Sequence, residues 1–238
     1  DEGPFLPEDA LRAGLVDDVA YEDQVDDKLR AGEQRRHLDS DDYARVSLAS
    51  VGLNKGPRIA VIYATGTINS GKSGYDPVNG PVAGADTLIE YIRQARRDSS
   101  VRAIVLRVDS PGGSASASDA IWRELVITKN ERKDRPLIVS MSDLAASGGY
   151  YIAMPAQVIV AQPSTLTGSI GIFGGKFVTG GVYEKLGAKI ESTSIGRHAE
   201  INGPARPYNP EELKKLQEQL QSFYDQFVEK VAASPARR

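Results

Sequence analysis

A chain of 238 residues, 40% apolar and 26% charged, is long enough to bury a full core and reads as an ordinary soluble protein of one or two domains. A net charge of −3 with no basic stripe argues against a nucleic-acid partner, and the lack of cysteine excludes disulfides, thiolate metal sites and a thiol nucleophile. His37 and His198 have no metal-like spacing, so neither metal nor cofactor is expected, and no apolar run is long enough to span a bilayer.

The chain opens at Asp1 rather than Met and shows no signal peptide, so it reads as a piece of something longer. Pro7-Glu8-Asp9-Ala10-Leu11 opens a helix with acids in its first turn, and Gly14 closes it. Leu15 to Val19 reads as a short buried segment after that cap. Residues 31–57 are read as a linker, because Ala31 to Asp42 is dense in charge and poor in large apolar residues. A second unit, 58–238, begins at Arg58. Ile59 to Tyr63 is a strand, Gly66 to Pro81 a Gly/Ser/Asn-rich loop, and Ala83 to Arg97 a helix with Leu88, Ile89 and Ile92 on one face. Ala103 to Val108 is an almost continuous apolar strand of the kind covered on both faces in parallel sheets. Ser110 to Gly113 is a turn, and Ser116 to Thr128 an amphipathic helix.

Leu137 to Ser140 and Val158 to Val160 read as further strands. Between them lies Ala145-Ala146-Ser147-Gly148-Gly149, a run of very small residues at a strand-to-helix junction. Thr165 to Gly175 is a loop, Tyr183 to Leu186 the end of a short helix, and Lys189 to Thr193 a strand. Asn209 caps a long helix, Pro210 to Val231, with Glu211 and Glu212 in its first turn. Repeated strand–helix alternation predicts an α/β fold with a mostly parallel sheet flanked by helices.

Three predicted loops follow the C-terminal ends of strands, the edge where open α/β sheets bind ligands: Asp109 to Gly113, Asp143 to Gly149, and Thr165 to Gly171. The first offers the N–H groups of Gly112 and Gly113 as an oxyanion hole. The second offers the Ser147 hydroxyl, with Gly148 opening a helix whose free N–H groups face the same place. The third offers Thr167 and Ser169. Each loop alone reads equally well as tight packing or ordinary capping. Donors, a nucleophile and supporting hydroxyls together form an acyl-transfer layout.

Three stretches carry a resemblance to a known family: Ile104 to Ser114, Val139 to Ala153, and Pro163 to Ile172. They resemble the signal peptide peptidase A family (protease IV), Ser/Lys peptidases of the Clp/crotonase superfamily, over roughly Arg58 to Val231. The resemblance implies a Clp/crotonase-like fold of repeated β-β-α units. It also implies a serine endopeptidase acting on cleaved signal peptides or similar hydrophobic segments. Ser147 would be the nucleophile, Gly113 with Gly148 the oxyanion donors, and Ser169 the hydroxyl that positions a general-base lysine. Membrane anchoring of the full-length protein, an extracytoplasmic peptidase domain and homo-oligomers are implied in the same way.

The lysine is where this sequence departs from the pattern. Ile195-Gly196-Arg197-His198-Ala199-Glu200 places Ala199 where single-repeat relatives carry it, and Arg197 cannot replace it because guanidinium keeps its proton. Lys176 reads as a surface lysine. In long, tandem-repeat relatives the first repeat supplies the lysine and the second the serine. Gly3 to Asp17 resembles a repeat-closing segment, so residues 1–30 read as the end of a preceding repeat, and the upstream repeat is the expected partner. Three other readings stand beside this one: a Ser-His-Asp peptidase using His198, a crotonase-type acyl-transfer enzyme that needs no serine, and a catalytically incomplete fragment or scaffold domain.

Overall fold

The computed structural model describes residues 5–30, 40–47, 50–53 and 56–235. The chain divides into two units, Asp1–Gly56 and Pro57–Arg238. The first contains helices α1 (Pro7–Arg12), α2 (Glu22–Arg30) and α3 (Ser40–Arg45). Pro7 stands in the first turn of α1 with Glu8 and Asp9, where a missing N–H costs nothing and negative charge meets the helix dipole. Gly14, at φ 70°, ends it as expected. Leu15 to Val19 corrects one expectation: the segment is exposed, with Leu15 at 62%. No described residue of this unit is buried. Of the expected linker, residues 31–57, the stretch 31–39 lies outside the described residues, and α3 (Ser40–Arg45) begins directly after it, inside the expected linker.

The second unit begins with β1 (Arg58–Thr65), followed by β2 (Thr67–Asn69), β3 (Gly74–Asp76), β4 (Gly80–Gly84), α4 (Ala85–Arg97), β5 (Val101–Ser110) and α5 (Ala115–Glu131). It continues with β6 (Leu137–Ala146), α6 (Gly148–Ala153), β7 (Val158–Val160), β8 (Leu166–Gly168), α7 (Gly180–Lys185) and α8 (Pro210–Ala232). The main sheet runs β1-β5-β6-β7 with every pairing parallel, and β8 adds to β6. This is a mixed α/β fold with a mainly parallel sheet flanked by helices.

Side-chain alternation sets the layers. Ile62, Ala64, Ile104, Leu106, Val108, Val139 and Met141 point to one face and meet Leu88 and Ile92 of α4 and Ile121 and Leu125 of α5 in a single core. These four helix side chains are 1% exposed or less, each contributing about 1.5–3 kcal/mol by burial. On the other face Ile59, Val61, Tyr63, Val158 and Val160 are exposed, so among the described residues helices cover the sheet on one side only. That differs from the double coverage read from the apolar run in β5. Glu124 of α5, 5% exposed, clamps the two helices by pairing with Arg96 at 2.6 Å and Arg93 at 2.9 Å.

Two further expectations need correction. The Gly66 to Pro81 loop holds β2, β3 and the start of β4, which form a small sheet in the order β2-β4-β3. Gly66, at φ 90°, turns the chain out of β1 into it, and a methyl group there would lie 1.9 Å from the Pro81 carbonyl oxygen. Residues 189–193 form no strand; they are exposed and have no ladder partner among the described residues. A segment becomes a strand only where a ladder partner is in reach.

One irregularity positions the site. Val108 pairs with Met141, but Ser110 pairs with Ala145, so β6 carries extra residues at Ser142 and Asp143 and bends there. Before the bend β6 pairs with β7, through Ile138 to Ser140. After it, Leu144 to Ala146 pair with Leu166 to Gly168 of β8. The bend brings the end of β8 alongside the Ser147 turn.

Candidate active site

Ala145 and Ala146, both buried, end β6, and α6 starts two residues later at Gly148. The single residue between them, Ser147, has φ 52° and ψ −117°. This conformation is costly for a residue with a Cβ, and a strand-to-helix turn of this kind projects its side chain away from the backbone. Neighbouring bonds hold it. The Ser147 N–H donates to the Gly168 carbonyl at 2.9 Å, and the Ser147 carbonyl accepts from the Tyr151 N–H at 2.8 Å. The half-buried hydroxyl has no hydrogen-bond partner among the described residues.

Glycines crowd this turn because nothing larger fits. A methyl group on Gly112 (φ 94°) would lie 2.4 Å from the Gly148 nitrogen and 2.9 Å from the Ser147 Cβ. One on Gly113 (φ 150°) would lie 2.2 Å from the Ile68 carbonyl oxygen. The two glycines are not equivalent donors. The Gly112 N–H donates to the Ser110 hydroxyl at 3.1 Å, and that fully buried hydroxyl donates to the Gly66 carbonyl at 2.6 Å. Around Gly113, the Ile68 N–H donates to the Gly112 carbonyl and the Ser114 N–H donates to the Ile68 carbonyl, at 2.8 and 2.7 Å. The Gly113 N–H itself has no protein acceptor among the described residues. Gly148, first in α6, has no intrahelical acceptor either. These two donors are neighbours, since a methyl group on Gly148 would sit 3.3 Å from the Gly113 nitrogen.

Ser147, Gly113 and Gly148 line one pocket of about 320 Å³, walled by Tyr151, Ile172, Phe173, Phe223 and Phe227. None of its lining residues is a lysine or a histidine. Tyr151 is no substitute base: burial, then its hydrogen bond to Asp119, pushes the phenol far above its usual range. Lys176 donates to the Ile201 carbonyl at 2.9 Å and lies 4.4 Å over the Tyr208 ring. Burial lowers the pKa of Lys129, but this residue sits eleven positions along α5 from Ser118 of the pocket wall, roughly 16 Å at 1.5 Å per residue. His198 and Ala199 lie outside the pocket lining, and Ala199 is exposed.

Ser169 is not a lining residue of this pocket. It is exposed, at φ 49°, and follows Gly168 as Ser147 follows Ala146, so the two serines stand one step beyond the same β8–β6 pair. Thr167 turns elsewhere, its hydroxyl donating to the Ala145 carbonyl at 2.8 Å and pinning β8 to β6. Sequence reasoning missed Ser110, Ser118 and Tyr151. Ser118 packs against Gly148, where a methyl group would meet its hydroxyl at 2.5 Å. Nothing in their spacing sets them apart from ordinary helix and strand residues.

A free hydroxyl on a strained turn, two free N–H groups beside it and an apolar pocket at the C-terminal edge of a parallel sheet make the layout of a serine hydrolase. Comparison with known proteins narrows the class. Residues 129–236, which include Ser147 and Ser169, match peptidase family S49. The chain is 40% identical, over 98% of its length, to "Serine protease SPPA, chloroplastic" of Arabidopsis thaliana, and 38% identical, over 96%, to "Protease 4" of Salmonella typhi. It covers 35% and 36% of those two proteins, about a third of their length. A "1510-N membrane-bound stomatin-specific protease", solved as a mutant, aligns at 25% identity and a TM-score of 0.35 over 47% of this chain and 46% of that one. The chain carries a peptidase family S49 domain and is a homologue of the SPPA and Protease 4 serine peptidases.

Proposed function

We propose that this chain is the nucleophile-bearing domain of a serine endopeptidase that cleaves hydrophobic peptides, cleaved signal peptides among them. The carrying observation is the free Ser147 hydroxyl beside the unpaired N–H groups of Gly113 and Gly148 in one pocket. In this reading the Ser147 oxygen attacks the scissile carbonyl while its proton passes to a neutral lysine. The two N–H groups hold the oxyanion, the lysine returns the proton to the leaving amine, and water then hydrolyses the acyl-enzyme. The lysine comes from an upstream repeat, and Ser169 positions it. Supporting this, no lysine or histidine lines the pocket, and the relatives are almost three times as long as this chain. The Ile172, Phe173, Phe223 and Phe227 walls suit apolar peptide side chains. The full-length protein is membrane-anchored and oligomeric in this reading; among the described residues no helix is long and apolar enough to cross a membrane.

The test is Ser147→Ala in the full-length protein. Cleavage of a signal-peptide-like substrate is lost, while circular dichroism and melting temperature stay at wild-type values. Retained turnover in the folded variant would overturn the assignment.

A further inference from the structure

α6 has six residues, too few to hold a helix by itself, yet its N-terminus presents both Ser147 and the Gly148 N–H. What holds it in place is the side chain of Tyr151, 1% exposed. Its ring stacks on Phe223 of α8 with centroids 5.8 Å apart and meets Phe227 edge-on at 4.9 Å. Trp122 of α5 lies edge-on at 6.4 Å. The phenol donates to Asp119 Oδ1 of α5 at 2.6 Å, and the same oxygen is ion-paired with Lys230 Nζ of α8 at 3.0 Å. The Lys230 ammonium also sits 4.3 Å from the Trp122 ring centroid and 5.4 Å from that of Tyr151. At the other end of α6, the Ser234 hydroxyl, just past α8, donates to the Met154 carbonyl at 3.0 Å.

Tyr151 is thus tied to the candidate nucleophile by its backbone and to two longer helices by its side chain. Its N–H donates to the Ser147 carbonyl, so tilting the ring moves the Ser147 peptide. We propose that Tyr151, Asp119 and Lys230 are positioning residues that dock α6 between α5 and α8 and so aim the Ser147 hydroxyl and the Gly148 N–H at the reacting carbonyl. The network makes the geometry at Ser147 depend on the seating of α8, far away in sequence. This rests on the reading of Ser147 as the nucleophile. Misplacement by a fraction of an ångström lowers reactivity without weakening reagent binding.

The experiment follows covalent modification of Ser147 in the 238-residue chain by a fluorophosphonate, read by mass spectrometry over hours at several reagent concentrations. In Tyr151→Phe, which keeps the ring, and in Asp119→Ala, the maximal modification rate falls about tenfold or more, while the half-saturating concentration is unchanged. Asp119→Asn recovers part of the rate, because its amide oxygen still accepts from the phenol. A wild-type rate in Tyr151→Phe would overturn the proposal, with Ser147→Ala as the unlabelled control. If the wild-type chain itself is not labelled, as the lack of a base among the pocket residues allows, the anchor is read instead by hydrogen exchange of the 148–153 amides, and the nucleophile reading is left to Ser147→Ala in the full-length protein. Exchange about tenfold faster in Tyr151→Phe and Asp119→Ala upholds the docking role; unchanged exchange in both removes it.

Discussion

Holding Ser147 at φ 52° costs on the order of 1–3 kcal/mol, and its bonds to Gly168 and Tyr151 offset that cost. Gly112 stands against the back of the same turn with no room for a side chain. Gly112→Ala therefore combines positive-φ strain with overpacking of backbone, and stability falls by about 2–5 kcal/mol. Urea unfolding measures it; an unchanged midpoint and slope would mean that the loops do not approach as closely as described. Ser169 is exposed and makes no hydrogen bond to the protein among the described residues, so its removal leaves the fold untouched. In the full-length protein Ser169→Ala lowers turnover by about ten- to a thousandfold if it positions the lysine. Equal kcat in variant and wild type would return Ser169 to a loop-shaping role.

At the scale of elements, α8 supplies the Phe223 and Phe227 wall, and its N-terminus is built around one carboxylate. Glu212 is completely buried and completes a capping box with Asn209: the Glu212 N–H donates to the Asn209 side chain, and the Asn209 N–H to the Glu212 carboxylate, at 2.8 and 3.0 Å. Arg206 grips the same carboxylate with two bonds of 2.7 and 2.8 Å. Those bonds, then the Asn209 N–H, hold the Glu212 pKa at about 2, below its ordinary 4.5. A lowered carboxylate pKa stabilises the fold fully above the unfolded value and progressively less as pH drops toward the folded one. The melting temperature of the chain therefore falls between pH ~5 and ~2. In Glu212→Gln the fall is shallower, from a lower starting point at neutral pH. Parallel pH profiles for the two proteins would remove Glu212 as the source.

For the whole molecule, the pocket brings together β5–α5, β6–α6, the loop after β8, and α8, and no base is among its lining residues. A serine hydroxyl without a base is a weak nucleophile at neutral pH. If the lysine comes from an upstream repeat, the 238-residue chain purified alone shows little or no cleavage of a signal-peptide-like substrate, and adding that repeat restores it. Robust cleavage by the chain alone, lost in Ser147→Ala, would place the base within these residues and refute the external lysine.

Sequence alone determined the parts whose signal is local. Apolar runs made β1 and β5 legible, and the 3.6-residue repeat made α4, α5 and α8 legible, because both follow from what must be buried. The Asn209 cap and the small-residue turn at Ser147 were legible because few residue types satisfy those backbone geometries. Tertiary structure alone decided the rest. Three-residue strands such as β2 and β8 have no period to read, and they exist through the partners they find. Conversely, residues 189–193 read as a strand in sequence and find no ladder partner among the described residues. Gly112 and Gly113 are identical in sequence terms, yet one N–H is consumed by Ser110 and the other left free. Tyr151, Asp119 and Lys230 meet across more than a hundred residues of chain, and only packing brings them to one oxygen atom. Periodicity reports burial along a single element; which donors stay unpaired, and which helix holds another, depends on contacts between elements that no local pattern encodes.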